Sequence, residues 1–386
     1  MTWPRDEAKL ERVRALMAEE GLDALVVRAP DNVLYLTNFW GMKGYEAVVF
    51  PREGEPTLVC LEASAEDAGR TAWTDDVRYL RGYADDDPRP PLARTIELAA
   101  DAARDYGRVG LELSLGTQAS DRMVGEPTTF THDWFHAFGR DVADATPLLA
   151  RARAQKTEQE LERMRLANEI AAAAMEHCRE HLRAGMKESE AGALWNGFVH
   201  GEGTGWKGRV DLALGFSLVW SGPGIKTFTA TGDLPVAGDE PTLFEIWVCA
   251  DGYWADHTKN LCPGQLRPEY ARLEETLVHV YTRALGLCTH GSSLAELDRS
   301  IRADIAEAGY PGQPSHPVCH GVGARAHEPP YAHQAAEAAI EAGMVLAIEP
   351  GIYWDGGGGL RIEDNWLVTA DGPQRMATFP DGIVRA

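Results

Sequence analysis

The chain has 386 residues, 44% hydrophobic and 25% charged, with 59 acidic against 37 basic residues and a formal net charge of −22. That length exceeds what one hydrophobic core usually organises, so a globular protein of two domains is expected. The acidic excess, unrelieved by any basic block, argues against nucleic acid and anionic membrane surfaces as partners, because both are bound through Lys and Arg.

The first residues, MTWPRDEAKLERVRALMAEEGL, place Leu10, Val13, Leu16 and Met17 on one side of an amphipathic helix and lack the apolar centre of a signal peptide. Nothing later offers the unbroken apolar run of a membrane span. The cysteines Cys60, Cys178, Cys249, Cys262, Cys288 and Cys319 are scattered without a CxxC pair. They read as reduced thiols of a cytoplasmic protein, not as a disulfide or zinc framework. Up to about residue 145, the β-like runs GLDALVV, NVLYLTNF, EAVVF, TLVCL, VRYL and RVGLEL alternate with predicted helices near 63–72 and 91–106. The alternation predicts an α/β domain over residues 1–150 with a mostly buried sheet.

A second domain is expected over residues 151–386. It opens on a long helix, where Thr157 and Glu160 make a capping box and Leu161, Met164, Ala167, Ala171 and Ala174 form an apolar stripe. A faint repeat follows: AGMKESEAGAL (184–194) is echoed by HGSSLAELDRSI (290–301), with Gly185 matching Gly291 and Glu190 matching Glu296. A β-rich segment succeeds each copy, which suggests two similar halves packed face to face.

The segment LFEIWVCADGYWADHTKNL (243–261) reads as a hairpin carrying two acids, Glu245 and Asp256. A turn at Ala250-Asp251 puts them directly opposite one another, and a turn at Asp251-Gly252 makes them diagonal neighbours. In either register they share a face, with Phe244, Ile246 and Val248 on the other. Like charges so placed are destabilising unless one is protonated, exposed or bound to a cation. From the hairpin alone, an exposed ladder of carboxylates is the simpler reading.

Two later segments change the balance. HPVCHGVGARAHEPPYAH (316–333) is dense in histidine, and MVLAIEPGIYWDGGGGLRIEDNWLVT (344–369) places Glu349 at the end of an apolar strand. In the next strand Arg361, Glu363 and Asn365 alternate with Leu360 and Ile362, and the GGGG run marks a turn. Singly, each residue has an ordinary structural explanation. Together, two hairpin carboxylates, a histidine and two strand glutamates form an oxygen-rich set suited to a pair of divalent ions such as Mn²⁺, Co²⁺, Zn²⁺ or Fe²⁺, which would activate a water. A GxSxG nucleophile elbow and a GxxxxGK[ST] phosphate loop are both absent.

On these residues the chain resembles the pita-bread fold metallopeptidases and their relatives, which include prolidase, aminopeptidase P, creatinase and ectoine hydrolase. APDNVLYLTNF resembles part of the creatinase-type N-terminal domain, while GYWADHTKNL, HGVGARAHEPP, AIEPGIY and GGLRIED match the catalytic domain's signatures in order. The resemblance implies a creatinase-type α/β domain followed by an α+β pita-bread domain of two pseudo-symmetric halves, assembled as a homodimer. It implies metal ligation by Asp256, His320, Glu349 and Glu363, with Glu245 as fifth ligand. Glu349 would shuttle the proton of the activated water, His327 would hold the substrate carbonyl or its developing oxyanion, and Arg361 would serve the substrate or brace the carboxylates.

The chain departs from the peptidase pattern twice. The first ligand position is Glu245 where the peptidases carry aspartate, a glutamate also reminiscent of ectoine hydrolase. A proton-transfer histidine expected within SGPGIKTFTATGD (221–233) is missing, leaving Lys226, Thr227 or Thr229. The expected function is therefore metal-dependent hydrolysis of a peptide bond before proline. The alternative is creatinase- or ectoine-hydrolase-like cleavage of a C–N bond in a small molecule, metal-free if creatinase-like.

Overall fold

The computed structural model describes residues 3–41, 43–82, 87–113, 132–139, 142–225, 229–354 and 358–386. Its contacts divide the chain into two compact units, Met1–Arg153 and Ala154–Ala386.

In the first unit the chain runs α1 (Glu7–Glu20), β1 (Ala24–Val27), α2 (Pro30–Thr37), β2 (Ala47–Pro51), β3 (Thr57–Leu61), α3 (Ala65–Thr71), β4 (Val77–Leu80), α4 (Pro91–Ala103), β5 (Val109–Leu111), α5 (His132–Phe138), β6 (Ala143–Asp144) and α6 (Thr146–Ala154). The strands form one mixed sheet in the order β4-β3-β2-β1-β5-β6. It is buried on both faces: Leu25 and Val27 join one apolar cluster with Leu10, Val13 and Met17 of α1, while Ala24 and Val26 join another with Ile96 and Ala99 of α4.

NVLYLTNF, expected as a strand, is mostly the helix α2, and local chemistry explains the difference. Pro30 occupies the first turn with its φ preset, and the buried Glu112 carboxylate accepts the Arg28 N–H at 3.0 Å and the Ala29 N–H just before the helix. Asn38, at φ +60°, closes the helix by returning its N–H to Leu34 O at 2.7 Å. All eight residues are buried, so no polar face survives to betray a helical period.

The second unit begins with α7 (Glu158–His181), capped by Thr157 and Glu160 as expected, then α8 (Glu188–Phe198) and strands β7 (Ala213–Ser221), β8 (Thr242–Ala250) and β9 (Tyr253–Cys262). It continues through α9 (Pro268–Leu287), α10 (Leu294–Glu307), β10 (Cys319–Gly321), β11 (Glu328–Tyr331), β12 (Val345–Ile348), β13 (Gly351–Tyr353), β14 (Gly359–Arg361), β15 (Asp364–Thr369), β16 (Gly372–Arg375) and β17 (Ile383–Arg385). Among the described residues these strands form the sheets β17-β9-β8-β7 and β11-β10-β12-β15-β16 and the ribbon β13-β14.

The two halves repeat one another at atomic level. Gly185 (φ +86°) donates to Val236 O at 2.9 Å while Val236 donates to Met186 O at 2.6 Å; Gly291 (φ +88°) donates to Ile340 O at 2.8 Å while Ile340 donates to Ser292 O at 2.7 Å. Both glycines hold a left-handed backbone that a side chain would strain. Glu190 and Glu296 then occupy the same third position of the helix that follows, α8 or α10. The halves meet where Thr258 and Glu363 form an antiparallel bridge pair.

The β8–β9 turn is Asp251-Gly252, with φ +46° and +86°, the two left-handed residues that a tight two-residue hairpin requires. Glu245 therefore faces Thr258 and Asp256 faces Trp247, which makes the two acids diagonal neighbours on one face. Arg361 and Glu363, expected in one strand, are separated: β14 ends at Arg361 and β15 starts at Asp364 in another sheet. Their side chains still point the same way, because both contact Thr258.

Candidate metal centre

Each acidic and histidine side chain is delivered by a different piece of the second unit. Asp256 comes from the middle of β9, His320 from β10, Glu349 from the residue after β12, Glu363 from the junction of β14 and β15, and His327 from the residue before β11. Asp256, His320 and Glu363 are 2% exposed or less, and Glu349 is 8% exposed. His320 Nε2 lies 3.6 Å from Asp256 Oδ2, 3.5 Å from Glu349 Oε1 and 3.9 Å from Glu363 Oε1. His327 Nε2 approaches Asp256 Oδ2 at 3.4 Å. Among the described residues, donor atoms fall into two triads, Asp256–His320–His327 and His320–Glu349–Glu363, each within 4.8 Å.

The protonation of His320 follows from its neighbours. Its Nδ1 lies 3.0 Å from Gly321 O, which can only accept, so Nδ1 carries the proton and Nε2 turns a lone pair toward the carboxylates. Burial pushes its pKa down to about 4, so the ring is neutral near pH 7. Among the described residues, Nε2 of His320 and Oδ2 of Asp256 are buried without a hydrogen-bond partner. A lone pair facing carboxylate oxygens is repelled by them, and a cation among these atoms satisfies all of them at once. Three carboxylates and imidazole nitrogen form a donor set that divalent transition ions accept. The residues present thus fit a metal.

The carboxylates resist ionisation for the same reason. Burial raises Asp256, and Glu363, Glu349 and Glu245 raise it further; burial and Glu363 raise Glu349 well above the ordinary range. Glu363 is pushed up to about 7, chiefly by burial. Burial pushes His327 well down. Binding a metal ion therefore means displacing protons from carboxyl groups, while the histidines are already neutral. Divalent-ion affinity should fall steeply as pH drops below about 7, with more than one proton released per ion at pH 6. Calorimetric titration in buffers of different ionisation enthalpy measures both quantities, and an affinity unchanged from pH 8 to pH 5.5 would contradict this electrostatic account.

Glu245 does not join either triad. Its carboxylate faces the NH2 nitrogen of Arg361, which is also fixed through Nε to Thr258 Oγ1 at 2.7 Å and through NH1 to Tyr353 OH at 3.3 Å. Thr258 Oγ1 in turn donates to Glu363 Oε2 at 2.7 Å, so Arg361 braces one ligand-type carboxylate through a hydroxyl and pairs directly with another.

Several participants were not singled out in the sequence. Thr258 lies two residues beyond Asp256 and so shares its face by strand periodicity alone. Trp247 stands across from Asp256, stacks on Phe216 at 5.3 Å and lies 6.1 Å from the His327 ring. His316 donates from Nδ1 to Pro317 O at 2.6 Å and accepts at Nε2 from Tyr353 OH at 3.0 Å, with Nδ1 3.3 Å from Glu349 Oε2. It stands in the histidine-rich segment already noted, but only the fold separates it from His333, which is exposed. Lys226, Thr227, Gly356 and Gly357 lie outside the described residues; Thr229 is exposed.

An α/β domain ahead of a two-fold repeated α+β domain, with a buried carboxylate and imidazole cluster where the repeats meet, is the architecture of a metal-dependent hydrolase. Residues 162–370 match metallopeptidase family M24, and the chain belongs to that family. Residues 9–155 match the creatinase/prolidase N-terminal domain. The chain is 28% identical over 377 residues to a Xaa-Pro dipeptidase of Lactobacillus delbrueckii subsp. lactis, covering 94% of this chain and 95% of that one. It is 27% identical over 403 residues to the ectoine hydrolase of Halomonas elongata, covering 96% and 95%. The prolidase of Pyrococcus horikoshii shares the fold with a TM-score of 0.79 at 22% identity, covering 97% of this chain and 99% of that chain. Among the described residues no helix is long and apolar enough to cross a membrane.

Proposed function

We propose that this protein hydrolyses the bond before proline in a small peptide, using a pair of divalent ions of the Mn²⁺, Co²⁺, Zn²⁺ or Fe²⁺ type held by Asp256, His320, Glu349 and Glu363. The observation that carries the metal assignment is the unpartnered His320 lone pair set among three carboxylates of the second unit. The likeness to a Xaa-Pro dipeptidase along 94% of this chain supports the substrate class. When bound, such ions supply a water of lowered pKa and a Lewis acid for the carbonyl.

The chain's own residues do the rest. Glu349 accepts the proton of the attacking water and returns it to the leaving nitrogen, a role suited to a carboxyl whose pKa is raised by burial and by Glu363. His327, held neutral by burial, holds the substrate carbonyl and stabilises its developing oxyanion. Arg361 keeps Glu363 and Glu245 in place. The assembly proposed is a homodimer in the cytoplasm, a compartment that six buried free thiols favour.

A second reading has its own observation. Glu245 pairs with Arg361 outside the two donor triads, and the chain is 27% identical to an ectoine hydrolase, so cleavage of a C–N bond in a small molecule is the alternative. The test is turnover by the reconstituted protein of Xaa-Pro dipeptides beside ectoine and creatine, with bound metal counted by elemental analysis. Dipeptide turnover with metal bound is expected; turnover of ectoine or creatine alone establishes the second reading, and absence of any bound ion overturns the metal assignment.

A further inference from the structure

Strand β9 pairs with β8 along one edge, and β17 covers its other edge only from Asn260 to Cys262. With the turn at Asp251-Gly252, the residues whose N–H and C=O point away from β8 are Trp254, Asp256 and Thr258, by the alternation of an antiparallel ladder. All three are buried, so these groups need partners from elsewhere. The second half of the domain supplies them in turn. Trp254 N–H donates to Gly323 O at 2.8 Å, and Thr258 O accepts the Glu363 N–H at 3.4 Å.

Between them, at Asp256, the partner is a side chain. Asn365 Oδ1 accepts the Asp256 N–H at 3.0 Å, and Asn365 Nδ2 donates to the Asp256 C=O at 2.8 Å. A carboxamide carries the same donor and acceptor as a peptide group, so Asn365 stands in for the missing strand. Asn365 is itself fully buried and fixed by pairing with Ala347 on β12, two residues beyond Glu363. The two contacts tie the Asp256 peptide groups to the strand that begins just after Glu363.

We propose that Asn365 is a positioning residue for the metal centre, clamping the Asp256 backbone so that the Asp256 and Glu363 carboxylates are held at the separation an ion needs before any ion arrives. The proposal rests on the metal reading above. Glutamine carries the same carboxamide one methylene further out; among the shorter or near-isosteric replacements, an ionised aspartate offers Oδ atoms to the N–H but sets an acceptor against the C=O, a leucine offers neither, and an alanine leaves the peptide groups of Asp256 without a side-chain partner.

The experiment is Co²⁺ titration of metal-free wild type, Asn365→Asp, Asn365→Ala and Asn365→Leu, read by calorimetry and by the visible d–d bands, with thermal unfolding of each metal-free protein as control. Co²⁺ affinity should fall about 10- to 100-fold in the variants, the range for lost outer-shell partners of metal ligands, and the band positions should change because Asp256 is displaced. Asn365→Asp, nearly isosteric, is the variant to read if the others fail to fold. Variants with lower melting temperatures but wild-type affinity and wild-type bands would reduce Asn365 to a structural residue and overturn the proposal. If the wild type itself binds no Co²⁺, the metal reading fails first and this one with it.

Discussion

A Glu349→Gln substitution is expected to lower kcat/KM by about 10³-fold while raising the melting temperature of the metal-free protein. The loss follows from the role of a proton acceptor, whose removal typically costs 10²- to 10⁴-fold. The gain follows from electrostatics. Glu349 is buried, is raised well above its ordinary value of 4.5, and itself raises Asp256. A carboxyl whose pKa is higher folded than unfolded binds protons more tightly in the native state. It therefore costs nothing below the unfolded pKa and destabilises progressively as pH rises toward the folded one. Glutamine has the same shape and no charge, so at pH 8 it removes that cost and relieves Asp256. A relief of about 1 kcal/mol corresponds to roughly 2–4 °C in a domain of this size. Steady-state kinetics of the reconstituted protein and calorimetry in the presence of chelator test the two halves separately. Activity within tenfold of wild type removes Glu349 from the chemistry, and an unchanged or lower melting temperature in chelator refutes the repulsion.

That trade between stability and function also explains what was legible in the sequence. Elements whose two faces differ announced themselves: α1 through Leu10, Val13, Leu16 and Met17, and α7 through its capping box and alanine stripe; the hairpin, though almost wholly buried, was legible through β-type residues flanking a tight turn. The repeat was legible because Gly185 and Gly291 serve identical left-handed backbones. Residues buried on every side lost that signature, which is why α2 read as a strand. Strand periodicity could place Glu363 and Asp256 on polar faces, and residue chemistry with the family resemblance grouped them in one ligand set, but the contact that joins their strands was not legible, because the bridge from Thr258 to Glu363 joins segments about a hundred residues apart, as does the hydrogen bond between their side chains. The sequence also could not say which acid would take the buried cation Arg361. Glu245 is on the same face as Asp256, yet only the register of β8 against β9 and the path of β14 decide that Arg361 reaches it.

Substituting the two members of that pair should have very unequal consequences. Arg361 is 4% and Glu245 16% exposed at the side chain, and simple loss of a buried ion pair would predict similar damage from either end. The surroundings break the symmetry. Arg361 lowers the pKa of Glu349 and Glu363, whereas Glu245 raises Asp256, Glu349 and Glu363. Arg361→Met removes the principal cation acting on Glu349 and Glu363 among the described residues and leaves Lys259 as a weaker one on Glu363, and at pH 8 it should destabilise the metal-free protein by about 3–5 kcal/mol, the cost of breaking a buried pair by removing one partner. Glu245→Gln leaves Arg361 with Glu349 and Glu363 as remaining counter-charges and takes away one repulsive neighbour, so its cost should stay below about 1 kcal/mol. The pH at which divalent ions bind half-maximally should move in opposite directions: up in Arg361→Met, because the carboxyl groups hold their protons more tightly, and down in Glu245→Gln. Denaturant unfolding of both single variants and the double variant gives the coupling, and the double variant should be more stable than Arg361→Met alone. If Arg361→Met folds too poorly to titrate, the downward shift in Glu245→Gln still decides the matter. A shift upward there would mean that Glu245 is a metal ligand and not chiefly the counter-charge of Arg361.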